Sequence, residues 1–145
     1  MHSTELEIVN VQVSNWEKDS SASEINTDGW TYHHWRHFFR QLPKKISAER
    51  LDDLNTNLKL DDIKNPYVLG SWLYLGIINQ YEPIYATVEK FLKEFHGGYD
   101  AWIYRELAKT PDGLEMGKRV YKNTRPMYHS VSVTYIDGVL DWEKE

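Results

Sequence analysis

Trp30-Thr31-Tyr32-His33-His34-Trp35-Arg36-His37-Phe38-Phe39-Arg40-Gln41-Leu42-Pro43 is the stretch whose reading decides the fold. Trp35, Phe38, Phe39 and Leu42 follow the i, i+3, i+4, i+7 spacing of a helix with one buried stripe. Thr31 stands where an N-cap belongs, and Pro43 stops the helix because it lacks an N–H and clashes with the preceding turn.

The same grammar recurs along the chain. Ser47 is an N-cap ahead of Leu51, Leu54 and Leu58. Asn65-Pro66 combines a capping side chain with proline at the first helical position, and Leu69, Trp72, Leu73 and Ile77 form the stripe behind it. Pro83 opens a helix carrying Ile84, Val88, Phe91, Leu92 and Phe95, which Gly97-Gly98 ends by tolerating left-handed geometry. Trp102, Ile103 and Leu107 mark a short helix. Thr110-Pro111 starts another with Leu114, Gly117, Val120 and Tyr121, and Arg125-Pro126 ends it.

The two ends read less clearly. Ile8, Val9, Val11 and Val13 alternate as in a strand, and Lys18-Asp19-Ser20-Ser21-Ala22-Ser23 reads as a polar linker. Val131, Val133 and Tyr135 alternate too, yet Val131 and Tyr135 also share a helical i, i+4 spacing, so periodicity leaves helix and strand open there. About six amphipathic helices with short connections imply antiparallel neighbours in an all-α bundle or short α-solenoid. The expected organisation is an N-terminal linker over 1–29, weakly structured or partly helical, and a helical domain over 30–145.

Composition narrows the function. The 145 residues suit one domain, and with 22 acidic against 17 basic residues the net charge of −5 argues against a nucleic-acid partner. There is no cysteine, hence no disulfide, thiolate nucleophile or cysteine-held metal. No run approaches the ~20 apolar residues of a membrane span. The N-terminus carries acids where a secretion signal carries bases, so a cytoplasmic location is expected.

Several residues invite a chemical reading. His33 and His37 share a helix face as zinc-binding histidines do, but His34 occupies the place of the catalytic glutamate and Thr56 that of the third ligand in the gluzincin spacing. A histidine-rich polar face is the expectation, and no metal ligand is assigned. Asp52-Asp53 and Asp61-Asp62 resemble acid/base pairs, yet adjacent helical residues point apart, and surface charge with loop capping is expected. Trp30, Trp35, Trp72 and Trp102 suggest an aromatic cage, but helical spacing favours core packing. Trp16 and Trp142 lie outside the clear helices, and one of them is a candidate for exposure where a partner domain packs. Tyr128-His129 lacks a nucleophile elbow, so His129 reads as a helix cap or a hydrogen-bonded group.

The ordered landmarks from Trp30 to Leu140 resemble the C-terminal domain of leukotriene A4 hydrolase and its bacterial aminopeptidase relatives. Trp30-Thr31 with Trp35, Phe38, Phe39, Leu42 and Pro43 is similar to that family's opening helix. Asn65 with Trp72-Leu73 is similar to the start of its central helix. Tyr104, Leu107 and Ala108 match its "P-L-Y…L-A" segment, with Trp102 near the usual proline. Val120-Tyr121, Arg125-Pro126 and Tyr128-His129 match its closing "A-x-x-x-Y-x-x-x-R-P-x-Y-H-P", with Ser130 in place of the last proline.

The resemblance implies an armadillo-like α-α superhelix of stacked helix pairs, helical after His129, packed on a zinc peptidase domain and closing one side of its substrate cleft. It implies that the zinc ligands, H-E-x-x-H plus a later glutamate, lie in that partner domain. No cofactor is expected in this chain. In the family an arginine and a lysine of a "G-R-x-K-F/Y" segment hold the substrate carboxylate. Counting back from Tyr104 puts His96 on the arginine and Gly98 on the lysine, and neither supplies the fixed cationic fork that guanidinium gives. The expected role is therefore a non-catalytic helical domain of a zinc metalloaminopeptidase. The alternatives are a free-standing helical-repeat scaffold for a protein or peptide and, last, a small metal hydrolase built on His33 and His37.

Overall fold

The computed structural model describes residues 4–95 and 100–143, and among these it contains eight α-helices and no strand. The helices are α1 (Thr4–Glu17), α2 (Tyr32–Gln41), α3 (Ala48–Leu58), α4 (Pro66–Ile78), α5 (Tyr85–Glu94), α6 (Asp100–Leu107), α7 (Pro111–Thr124) and α8 (Ser130–Leu140). Short 3-10 turns sit at Ala22–Glu24, Leu60–Asp62, Glu82–Ile84 and Arg125–Met127. No described helix is long and apolar enough to cross a membrane. The chain divides into two compact units between Tyr81 and Glu82.

The caps read from sequence form as their chemistry dictates. Asn65 accepts from the N–H groups of Tyr67 (2.9 Å) and Val68 (3.3 Å). Ser47 accepts from Arg50 (3.2 Å), and Thr110 from Gly113 (3.2 Å). Each cap satisfies a donor that the helix itself leaves orphaned and is worth ~1 kcal/mol. At α2 the Thr31 N–H donates to His34 Nδ1 at 3.0 Å, so a histidine fills the reciprocal half of the capping box.

In the first unit α1 packs on α2 and α2 on α4, while α3 packs on the turns at 22–24 and 60–62. The centre is α4, where Val68, Trp72, Leu73, Leu75 and Ile77 are all buried. Burial at consecutive positions, rather than along one stripe, marks a helix covered on several sides. The strand suggested by the alternation of Ile8, Val9, Val11 and Val13 is a helix instead. Val9, Val13 and Trp16 sit at i, i+4 and i+7 and are buried, while Ile8 and Val11 face outward. Tertiary burial of one helical face overrides a weak β pattern.

In the second unit α6 packs on both α7 and α8, and α5 packs on α7. Ile103, Tyr104 and Leu107 of α6, Val120 and Tyr121 of α7 and Ile136 and Leu140 of α8 are buried. The tail left open by periodicity is helical, with Ile136 and Leu140 one turn apart on its inner face. The helix count therefore exceeds the expected six, because both ends of the chain add a helix.

Two glycines separate backbone needs from chance. A Cβ on Gly113 would lie 2.3 Å from the Leu107 carbonyl oxygen, where the chain turns from α6 into α7. A Cβ on Gly138, inside α8, meets nothing within 4 Å. Gly113→Ala is expected to lower stability by about 1–3 kcal/mol through steric clash, and Gly138→Ala to raise it by about 0.5–1 kcal/mol through helix propensity. Urea unfolding followed by circular dichroism checks both signs.

Candidate functional site

α3 and the turn behind it carry Arg50, Asp52, Asp53 and Asp61, which bond to neighbouring elements of the first unit. Asp53 is a hub. Its carboxylate accepts from Trp16 Nε1 (3.0 Å), the Ala22 N–H (2.8 Å), Ser21 Oγ (3.3 Å) and Asn57 Nδ2 (2.9 Å). Arg50, one turn earlier, lies 3.5 Å from the same carboxylate, with its guanidinium 4.1 Å from the centre of the Trp16 ring. Burial pushes the Asp53 carboxyl up, but the hydrogen bonds from Trp16, Ala22 and Ser21, with Arg50 beside them, outweigh it and hold the group below its ordinary value.

Two further aspartates do the same work. Asp52 accepts from the Tyr81 hydroxyl. Asp61 accepts from Trp72 Nε1 at 2.8 Å and from Asn55 Nδ2 at 3.0 Å. Asp52 and Asp62 are exposed, as expected of surface charge, whereas Asp53 and Asp61 are half-buried and bonded to core tryptophans. Trp16, Trp72 and Tyr81 are buried and carry one donor each, which a buried site must satisfy.

The second unit repeats the device. Asp137 on α8 accepts from the Tyr121 hydroxyl (2.6 Å) and from Arg125 Nε (3.0 Å) and Nη2 (2.8 Å). Burial, then the Asp137 carboxylate, raises the Tyr121 hydroxyl well above its ordinary value. Tyr104 and Thr124 share a hydrogen bond of 2.8 Å, and the Tyr128 hydroxyl donates to the Leu92 carbonyl at 3.2 Å. Arg125 and Tyr128, quoted in the closing family motif, therefore tie α5, α6, α7 and α8 together. Glu106 is a buried carboxylate held by Arg105 (3.2 Å) and Lys109 (2.9 Å).

The sequence-derived candidates fall out as follows. His33 is exposed beside the Tyr32 ring, and His37 Nε2 bonds Asn10 Oδ1 at 2.7 Å, linking α2 to α1. Among the described residues no group of three or more His, Cys, Asp or Glu is gathered for a metal. Trp72 is buried as core packing requires, and Trp102 is half-buried on α6. Trp30 and Trp35 meet edge to face at 4.9 Å and are only half-buried. Trp16 is buried, and Trp142 is half-buried with its ring 5.0 Å from Tyr121. His129 is the exposed N-cap residue of α8, without a side-chain capping bond. His96 and Gly98, like the Gly97-Gly98 helix stop, lie outside the described residues.

The aspartate anchors are what sequence reasoning missed. The available signal was six tryptophans and ten tyrosines in a small chain. So many aromatic donors demand buried acceptors, and short acids at helix positions are the nearest supply. Compared with known families, residues 30–140 match the model described as leukotriene A4 hydrolase, C-terminal.

The Asp53 carboxyl is depressed in the folded chain, so its contribution is present above the unfolded value of ~3.9 and is lost as pH falls through the lower folded value. Asp53→Asn is expected to cost about 1–3 kcal/mol near neutral pH and to flatten the loss of stability between about pH 5 and pH 2. Tyr81 and Tyr121 are raised, Tyr81 by burial and then by Asp52. Their stability is present below ~10 and is lost as pH climbs past it. Urea midpoints measured across both pH ranges check each sign.

Proposed function

Since the chain belongs to the leukotriene A4 hydrolase C-terminal family, we propose that it is the non-catalytic helical domain of a zinc metalloaminopeptidase, docking on the peptidase domain and shaping its substrate cleft. The observation that carries this reading is the match over residues 30–140, to the C-terminal helical domain of a peptidase. In this proposal the helices stack as an armadillo-like α-α superhelix, and zinc belongs to the peptidase domain.

The polar chemistry supports a structural role. Catalytic carboxylates need a shared cleft and separated pKa values. Here Asp53, Asp61 and Asp137 instead spend their oxygens on the donors of buried aromatic side chains. The family's substrate-carboxylate positions carry His96 and Gly98, so the proposal assigns no arginine or lysine clamp to this chain. Carboxylate recognition in the cleft then falls to the peptidase domain.

The test mixes the purified chain with a zinc peptidase domain of this family deprived of its own C-terminal domain. An equimolar complex on size exclusion, with a changed KM for peptides and no cleavage by the chain alone, is the expected result. Metal-dependent peptide cleavage by the chain alone, or the failure of any complex to form, would contradict it.

A further inference from the structure

The outward side of α2 and the turn after it form a patch of bases. From Gly29 to Ala48 the sequence has no Asp or Glu, and its bases are Arg36, Arg40, Lys44 and Lys45. All four are exposed. Arg36 and Arg40 lie one turn apart on α2, and Lys44 and Lys45 follow just past its end. The chain as a whole carries a net charge of −5, and before Gly29 its only base is Lys18. Positive charge is thus gathered here against the overall balance.

The arginines of the chain separate into two kinds. Arg50, Arg105, Arg119 and Arg125 each hold a carboxylate of this chain, at 3.5, 3.2, 2.8 and 2.8 Å. Arg36 and Arg40 are the others, and neither has an ion-pair partner among the described residues. Arg40 sits in the last turn of α2, where a cation offsets the helix dipole, but Arg36 in mid-helix has no such role.

We propose that this basic face binds an extended acidic segment of a partner protein, with one carboxylate on Arg36, one on Arg40 and further acids against Lys44 and Lys45. The inference goes beyond the docking role and does not depend on it. A guanidinium presents a planar fork that a carboxylate fills with two parallel bonds. Residues one helical turn apart are separated by about 6 Å along the axis. Alternate side chains of an extended segment stand about 7 Å apart on one face. The two spacings match, so acids at alternate positions of the segment reach both forks. A nucleic acid offers the same charge but runs on past the patch. α1, which packs on α2, has no base and exposes Glu7 and Glu17, so a long polyanion meets repulsion beside the patch and a short acidic segment does not.

The experiment titrates the full chain with an acetylated peptide of alternating glutamate and serine, and with its glutamine counterpart, following backbone amide signals by NMR. A single-stranded oligonucleotide of equal charge and phosphatidylserine vesicles are titrated alongside. The glutamate peptide is expected to move the signals of residues 36–45 and to leave those of α7 in place, and the glutamine peptide to move neither. Raising the salt from about 0.05 M to about 0.3 M should weaken binding, because the charges are exposed. Arg36→Gln combined with Arg40→Gln, at sites whose exposure leaves the fold intact by circular dichroism, should weaken it about fivefold, the worth of two exposed charge pairs. Lys118→Gln combined with Lys122→Gln makes the same change of charge on α7 and should leave binding unchanged. Equal weakening by the α7 pair would overturn the proposal, since net charge alone would then govern binding. Equal binding of the glutamine peptide, unmoved signals at residues 36–45, or tighter binding of the oligonucleotide or the vesicles would overturn it too.

Discussion

A buried indole or phenol must donate a hydrogen bond to an acceptor, and among the described residues that acceptor is usually an aspartate. Asp53 receives Trp16, Asp61 receives Trp72, Asp52 receives Tyr81 and Asp137 receives Tyr121. Leaving such a donor buried and unpaired costs ~1–3 kcal/mol, a large share of the net stability of a domain this size. The aromatic rings supply the apolar area that fills the interior, and the aspartates make that burial tolerable. Four of the 22 acidic side chains are thereby tied to aromatic donors of the core.

This arrangement also bears on function. A carboxylate committed to a tryptophan N–H and a backbone N–H, as Asp53 is, is poorly suited to exchange protons with a substrate. Arg125, the most exposed member of its cluster, clamps Asp137 through two nitrogens and holds α8 against the end of α7. The residues that make the closing family motif recognisable are thus those that fasten the last helices.

Much of the fold was legible because it is written locally. Asn65-Pro66, Ser47 and Thr110-Pro111 announce helix starts through bonds to residues two or three positions away. The stripe Trp35, Phe38, Leu42 needs only the helical period. The strand hint within the first helix arises because Ile8, Val9, Val11 and Val13 satisfy two periods at once, and only the burial of Val9, Val13 and Trp16 selects between them. The aspartate anchors were illegible for a related reason. Trp16 and Asp53 are 37 positions apart, and Tyr81 and Asp52 are 29 apart, so no local pattern pairs them. The exposure that distinguishes Trp30 and Trp35 from Trp72 is likewise a property of what packs around each ring.

The most direct test of the aspartate–aromatic account is a double-mutant cycle on Trp72 and Asp61, with Trp72→Phe, Asp61→Ala and the pair measured by urea unfolding at neutral pH. The account predicts a coupling of about 1–3 kcal/mol, because each single change strands the other group's bond. Strict additivity of the two single changes would contradict it, since the two side chains would then contribute to stability independently of each other.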